Sequence, residues 1–153
     1  MALIQSDWAK GGLPFPYPQY AGHLVMARFF IVLTTAQLVL NNIFEIAPLP
    51  ADCVPLSLVL DSDDLDSATA AVLDCGLLSG AWGAKDDART IGAEFISGCT
   101  VAQAGGIVRP ALASSQRVQK ASTDRSIGVK VATAPGTPVA GVIGLTIGYT
   151  TPP

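Results

Sequence analysis

The stretch SIGVKVA at residues 126–132 and the stretch VIGLTIGY at residues 142–149 both alternate apolar with small or polar side chains. Period-two alternation is the signature of a β-strand that buries one of its faces. The segment 134–138, which lies between them, is rich in proline and predicts a turn, so the two strands should form a hairpin. Glycines at 144 and 148 leave the outer face of the second strand smooth, which favours packing against protein over chemistry.

Similar patterns predict further strands at residues 23–33, 37–46, 53–61, 69–78 and 107–112. The first of these is apolar on both faces apart from His23 and Arg28, which predicts a central strand that is covered on both sides. In the third, Leu56 should point inward. The pair Asp86-Asp87 predicts the cap of a short helix that runs to Phe95. Seven or eight short strands with proline- and glycine-rich turns predict an all-β, antiparallel sandwich of jelly-roll type.

The predicted domain organisation is an extended N-terminal arm at residues 1–21 and a single β-sandwich domain at residues 22–153. Residues 11–20, GGLPFPYPQY, alternate proline with apolar or aromatic side chains. Proline removes backbone donors and favours extended geometry, which predicts an arm rather than a sheet strand.

Four aromatic residues are candidate contacts with another subunit or with a partner protein. Phe15, Tyr17 and Tyr20 lie in the predicted arm, and Trp82 lies in a predicted turn. An exposed arm with three aromatic rings should dock either on its own domain or on a neighbouring subunit.

The composition indicates a surface that is covered by protein. Half of the 153 residues are hydrophobic and 14% are charged, whereas about 25% is usual. The charge is uneven: residues 61–94 hold eight acids and two basic residues, and residues 95–153 hold five basic residues and one acid. These segments could complement each other between subunits or form separate solvated loops. Sparse basic residues without interleaved aromatics argue against nucleic acid as a partner.

The inventory of reactive groups argues against an enzyme. His23 is the single histidine, and its place on an apolar strand predicts a structural role. No nucleotide-binding or nucleophile motif is present, so we expect no catalytic residue, no cofactor and no small-molecule substrate. Cys53, Cys75 and Cys99 lack metal-binding spacing and should be buried thiols in a reducing compartment.

Two further features bear on ligands and location. The acidic run at residues 61–66 could bind calcium, but it lacks the glycine and distal glutamate of an EF-hand loop, which favours a turn between strands. Residues 1–8 lack the pattern of a secretory signal, and no apolar stretch is long enough to cross a bilayer. We therefore expect a soluble protein that is made in the cytoplasm.

The phrases DSDDLD at 61–66, VLDCG at 72–76, IGVKV at 127–131 and GLTIGY at 144–149 resemble small proteins of tailed-bacteriophage capsids. These are the cement, or decoration, proteins, which are built on a jelly-roll sandwich. The resemblance implies a structural protein on the exterior of the virion that bridges neighbouring major capsid subunits. It therefore makes a capsid the expected partner of the four aromatic candidates, Phe15, Tyr17, Tyr20 and Trp82. It also implies a homodimer or homotrimer without catalytic or metal-binding residues.

A second hypothesis from a different class is a carbohydrate- or receptor-binding sandwich module of a phage tail or spike. Trp8, Trp82 and the tyrosines of the predicted arm could stack on sugar rings. Packing in a core or an interface explains the two tryptophans equally well.

Overall fold

The computed structural model describes residues 1–14 and 22–151, and within them nine strands and three single-turn 3-10 helices. The helical turns are Thr35–Gln37, Val101–Gln103 and Ala113–Gln116. The strands are β1 (Leu3–Gln5), β2 (Val25–Leu33), β3 (Ile43–Leu49), β4 (Val54–Ser62), β5 (Val72–Leu78), β6 (Ile96–Cys99), β7 (Gly106–Val108), β8 (Arg125–Thr133) and β9 (Gly141–Thr150).

The strands form two sheets that pack face to face. The first sheet has the order β1-β3-β8-β5-β6, and the second has the order β2-β9-β4-β7. Without β1, the eight remaining strands form two four-stranded sheets, β3-β8-β5-β6 and β2-β9-β4-β7, which is the strand order of a jelly roll. The predicted all-β sandwich of jelly-roll type is therefore confirmed.

The core lies between the inner faces of the two sheets. The alternation that predicted β8 and β9 is confirmed, since all seven of their predicted inward side chains are buried: Ile127, Val129, Val131, Ile143, Leu145, Ile147 and Tyr149. Phe29 and Phe44 add aromatic bulk from the facing sheets. Burial of side chains of this size contributes roughly 1.5–3 kcal/mol each, which makes this interlayer the main source of stability.

The predicted hairpin of β8 and β9 is wrong, because the two strands belong to different sheets. β8 pairs with β3 and β5, whereas β9 pairs with β2 and β4. The segment 134–140 crosses from one sheet to the other, and Asp66 holds it by accepting a hydrogen bond from the Thr137 amide at 2.9 Å. Strand alternation fixes which face is buried, but it does not identify the pairing partner.

The prediction that β2 is a central strand is also wrong. β2 lies at the edge of the second sheet, and only its inner face is buried: Phe29, Ile31 and Leu33. Its outer face carries Met26 and Val32, which are exposed. A run that is apolar on both faces indicates coverage on both faces, but it does not distinguish coverage by the same chain from coverage by another protein.

Two local predictions fail where the backbone is irregular. Leu56 is exposed rather than inward, because a bulge between Pro55 and Ser57 shifts the register against β9. The helix predicted from Asp86-Asp87 to Phe95 is replaced by turns and by an isolated bridge to β5. The helical turns of the described chain lie elsewhere.

The first residues of the predicted arm are part of the sandwich. β1 pairs in parallel with β3, from Leu3 beside Ile43 to Gln5 beside Glu45. Ala9 is buried. Residues 15–21 of the predicted arm, with Phe15, Tyr17 and Tyr20, lie outside the described residues, and a domain boundary after residue 21 stays a prediction.

Candidate interaction surface

The outer face of the first sheet is covered by the chain's own segment 79–95. Glu45 on β3 and Arg89 in this segment form a buried ion pair, with 2.8 Å between Nη1 and Oε1. Arg89 also donates from Nη2 to the Ser126 hydroxyl on β8 at 2.9 Å and from Nε to the Ser79 carbonyl at 2.6 Å. Gln5 donates to the second Glu45 oxygen at 2.6 Å. Each charged group is therefore satisfied, which is the condition for a buried ion pair to be tolerated.

Glycine allows the covering segment to approach the sheet closely. Gly76 on β5 lies so near the Gly92 backbone carbonyl that any β-carbon there would collide with it. The Gly92 amide donates to the Leu77 carbonyl at 3.1 Å, and Glu94 accepts from the Leu77 amide at 2.9 Å. This side of the sandwich is closed by backbone as well as by side chains.

The outer face of the second sheet has no comparable cover from the described chain. We call it the bare face, and it consists of the outward residues Met26, Arg28, Phe30 and Val32 of β2, Val142, Gly144, Thr146 and Gly148 of β9, Val59 and Asp61 of β4, and Ile107 of β7. Its large apolar side chains are strongly exposed: Val32 by 65%, Met26 by 53%, Phe30 by 40% and Ile107 by 68%. An exposed apolar sheet face of this kind is a candidate interaction surface.

Neighbouring side chains occupy the space above the two glycines of this face, Gly144 and Gly148. The Met26 thioether lies over Gly148. Arg28 and Asp61 meet over Gly144, with Nη2 and Oδ2 2.5 Å apart. The hydrogen bonds that Arg28 donates to the Asp61 carboxylate are the main factor that raises the pKa of Arg28. The bare face is therefore flat, and this ion pair is neutral as a unit.

The edges of the sandwich are protected against lateral growth of the sheets. The edge strands β1, β6 and β7 contain three or four residues each. β2 is a nine-residue edge, but the Trp8 ring packs edge-on against the rings of Phe29 and Phe30, at centroid distances of 5.2 and 5.4 Å. Phe29 and Phe30 are successive residues of a strand and point to opposite faces of the sheet. A ring that contacts both of them therefore lies beside the strand, at its open edge. Short or covered edges oppose sheet extension by another chain.

The acidic run at residues 61–66 is already engaged within the protein. Asp61 pairs with Arg28, and the buried Asp66 accepts four backbone hydrogen bonds from Ala68, Ala70, Ala71 and Thr137. Burial acts to raise the pKa of Asp66, but these four bonds outweigh it and hold the pKa well below its usual range. Within residues 1–14 and 22–151, no group of three or more acidic, histidine or cysteine side chains is arranged to hold a metal ion.

Comparisons with known proteins find solved phage capsid structures that are similar to this chain. No protein-family model matches the chain, and no curated protein matches it. Among solved structures, a chain from the capsid of Ralstonia phage GP4 is 43% identical, with a TM-score of 0.94 and coverage of 99% of both chains. The chain belongs to a family of phage capsid proteins.

Two further solved structures share the capsid protein's fold. A chain of the cyanophage Pam1 capsid asymmetric unit is 20% identical with a TM-score of 0.63, and it covers 92% of this chain and 93% of its own. A chain from the acid-stable capsid of Helicobacter pylori bacteriophage KHP30 is 12% identical with a TM-score of 0.57, covering 88% and 92%. The resemblance to phage virion proteins is confirmed at the level of a structural capsid protein.

Of the four predicted contact residues, the described part of the capsid protein contains only Trp82. Trp82 is half-buried in the covering segment 79–95, and its amide donates to the Asp124 carbonyl at 3.4 Å. It lies over the first sheet, away from the bare face. A role for Trp82 in subunit contacts stays a prediction.

Sequence reasoning missed the residues that form the bare face, chiefly Met26, Phe30, Val32 and Ile107. The sequence did contain a signal for this face, because β2 is apolar on both sides. That pattern was interpreted as a central strand covered by the same chain. His23, which was predicted to have a structural role on an apolar strand, is exposed and precedes the strand, because β2 begins two residues after it. The three cysteines are buried free thiols, as predicted.

None of the helical turns in the described ranges has the length and apolar character that a bilayer crossing requires.

Proposed function

We propose that this capsid protein is a cement protein, which binds the outer surface of an assembled tailed-phage shell and joins neighbouring major capsid subunits. The observation that carries the proposal is the asymmetry of the sandwich. One outer face is sealed by the segment 79–95 through the Glu45–Arg89 pair, and the other exposes an apolar sheet. A protein with a single bare face is suited to sit on a surface.

The protected edges support attachment to a shell over formation of the shell itself. A subunit of a continuous shell needs contacts around its whole perimeter. Here three edges are short, and Trp8 covers the fourth beside Phe29 and Phe30. A weak contact through one face becomes effective when many copies bind a symmetric lattice.

The chemistry of the bare face suits a protein partner. Arg28 and Asp61 neutralise each other, so this pair offers no isolated charge to a phosphate backbone. The Trp8 ring packs against Phe29 and Phe30, so it is not free to stack on a sugar in the alternative carbohydrate-binding function.

We infer a non-enzymatic protein that is made in the host cytoplasm and resides on the exterior of the virion.

Binding to shells that lack this protein tests the proposal. Purified protein should co-sediment with expanded shells, and Val32→Lys or Met26→Lys should weaken binding at least about tenfold, because each places a charge in an apolar contact. Val39→Lys is the matched control, since Val39 is 51% exposed but lies in the turn before β3. Failure of the wild type to bind any shell would overturn the cement function. Equal binding by all variants would overturn the role of the bare face.

A further inference from the structure

An apolar groove opens between the edges of the two sheets. β6 is the last strand of the first sheet and β7 is the last strand of the second, and both border a groove of about 440 Å³. This volume lies in the range of about 300–1,000 Å³ that is usual for binding pockets. It is far larger than the roughly 10–15 Å³ that holds one water molecule. We call this feature the β6–β7 groove.

The β6–β7 groove runs from an exposed apolar rim to the buried core. Phe95, Ile96 and Cys99 line its floor and are buried. Ile107 and Leu112 line its rim, and both are exposed large apolar residues. An apolar side chain that enters the groove is therefore removed from water along its whole length, which favours binding.

Hydrogen bonds within the chain hold the walls of the groove in place. In the helical turn Val101–Gln103, Ala102 is buried and its carbonyl accepts from the Leu65 amide at 2.8 Å. On the side of the first sheet, the Phe95 amide donates to the Cys75 carbonyl at 3.1 Å. A preformed groove loses little conformational entropy when it binds a partner.

The groove carries a positive charge that the described chain does not neutralise. Among the described residues that line it, Arg109 is the only charged one. Arg109 is exposed and forms no ion pair with residues 1–14 or 22–151. No acidic residue occurs from position 95 to position 123 of the sequence. A cation at the mouth of an apolar groove is complementary to an apolar segment that carries a carboxylate.

Ile107 connects the groove to the bare face. It points outward on β7 as part of the bare face, and it also lines the rim of the groove. A protein that covers the bare face at β7 therefore also reaches the mouth of the groove. β6 and β7 contain only four and three residues, so they offer few backbone groups to an added strand. Side chains that enter the groove are the better form of contact.

We propose that the β6–β7 groove receives a segment of a major capsid subunit that carries apolar side chains and a carboxylate. The apolar side chains enter between the two sheets, and the carboxylate pairs with Arg109 at the rim. This inference rests on the cement function and adds a second contact of defined chemistry beside the bare face. A segment with a basic residue at that position would face Arg109 and be rejected, so the groove also gives specificity.

Variants of the groove test the inference in co-sedimentation with shells that lack this protein. Arg109→Glu should lower the affinity for shells at least about tenfold, because it places like charges together. Ala111→Trp should also weaken binding, because Ala111 lines the groove and is exposed, so that the larger ring fills the groove without entering the core. Arg109→Lys keeps the charge and should retain most of the binding. Arg117→Glu is the matched control, since Arg117 is exposed and lies outside the groove lining.

Photo-crosslinking identifies the segment that enters the groove. A benzophenone amino acid in place of Leu112, at the rim, should crosslink to the major capsid chain on decorated shells. Mass spectrometry should locate that crosslink beside an acidic residue. The same amino acid in place of Val39, which is exposed in the turn before β3, should not give this crosslink.

The outcomes separate this inference from the cement function. Wild-type protein that binds no shell would overturn both. Binding that is lost in Val32→Lys on the bare face but unchanged in folded Arg109→Glu and Ala111→Trp would overturn the groove contact alone. With the wild type bound, a crosslink from position 112 to a second copy of this chain, or to no protein, would also overturn it. Melting curves verify folding, and Arg109→Glu, a change at an exposed position, decides the test if Ala111→Trp fails to fold.

Discussion

Arg28 on β2 and Asp61 on β4 form an ion pair across the intervening strand β9. The Arg28 Nε lies 3.2 Å from Oδ1 of Asp61, and Nη2 lies 2.5 Å from Oδ2. The two side chains meet over Gly144, where a β-carbon would collide with both. The two charges of this pair cancel, so the bare face can be buried against a partner without leaving either charge unpaired.

Removal of one member of this pair should affect docking far more than folding. Arg28→Ala leaves the Asp61 carboxylate unpaired in the proposed shell contact, which should weaken shell binding at least about tenfold. The pair is partly exposed, at 47% and 27%, so the free energy of unfolding should change by less than about 1 kcal/mol. The double variant Arg28→Ala/Asp61→Ala should recover part of the binding in the same co-sedimentation assay. Wild-type binding by Arg28→Ala would show that this region is not buried in the contact.

The two outer faces should differ in their tolerance of a methyl group. Gly76→Ala on β5 would meet the Gly92 backbone, which cannot move without lifting the covering segment, so it should destabilise the protein by about 2–3 kcal/mol. Gly144→Ala would meet only the ends of Arg28 and Asp61, which can rotate into solvent, and should cost less than about 1 kcal/mol. Urea unfolding of both variants measures the difference. Equal losses would contradict the assignment of one closed face and one open face.

The buried Glu45–Arg89 pair should be required for stability. Arg89→Ala leaves Glu45 charged and buried, which should cost about 3–5 kcal/mol. Lys85→Ala in the same segment is the control, because Lys85 is exposed and should change stability by less than about 0.5 kcal/mol. Amide hydrogen exchange should also show early opening of residues 79–95 in Arg89→Ala. Unchanged protection there would mean that other contacts hold the covering segment.

Acid should destabilise the protein through Asp66. The four backbone hydrogen bonds lower the pKa of Asp66 in the folded state below its usual value of about 3.9 in an unfolded chain. The folded state therefore gains stability above about pH 4 and loses it as the pH falls below that value towards the folded pKa. Asp66→Asn should melt at a lower temperature than the wild type at pH 7, and the gap should narrow at pH 3. A gap that stays constant between these pH values would contradict an ionised Asp66 in the fold.

The sequence predicted the core-facing residues of β8 and β9 and the fold class correctly. Alternation placed Ile143, Leu145 and Ile147 in the core, and turn-rich connections gave the jelly-roll class, because both signals are local. The pairing of β8 and β9 failed because register and partner choice depend on long-range contacts. The Leu56 bulge has no local signature beyond the neighbouring Pro55.

The interaction surface could be predicted only in part, for a different physical reason. Val32 and Phe30 carry the same apolar signal as core residues, and a single sequence does not distinguish an apolar position in the core from one that the chain leaves exposed. Nothing near Glu45 in the sequence indicates that Arg89, 44 positions later, will neutralise it. The low charged fraction of the chain, 14%, also predicts a surface covered by protein, but it is a property of the whole chain and identifies no residue.

A high-resolution cryo-electron microscopy map of the assembled virion tests the central claim most directly. The account predicts that the jelly roll sits outside the continuous shell, with Met26, Phe30 and Val32 of the bare face buried against neighbouring capsid subunits. The covering segment 79–95 should then face away from that contact. A map in which this chain itself forms the continuous shell, or in which the bare face points to solvent, would contradict the account.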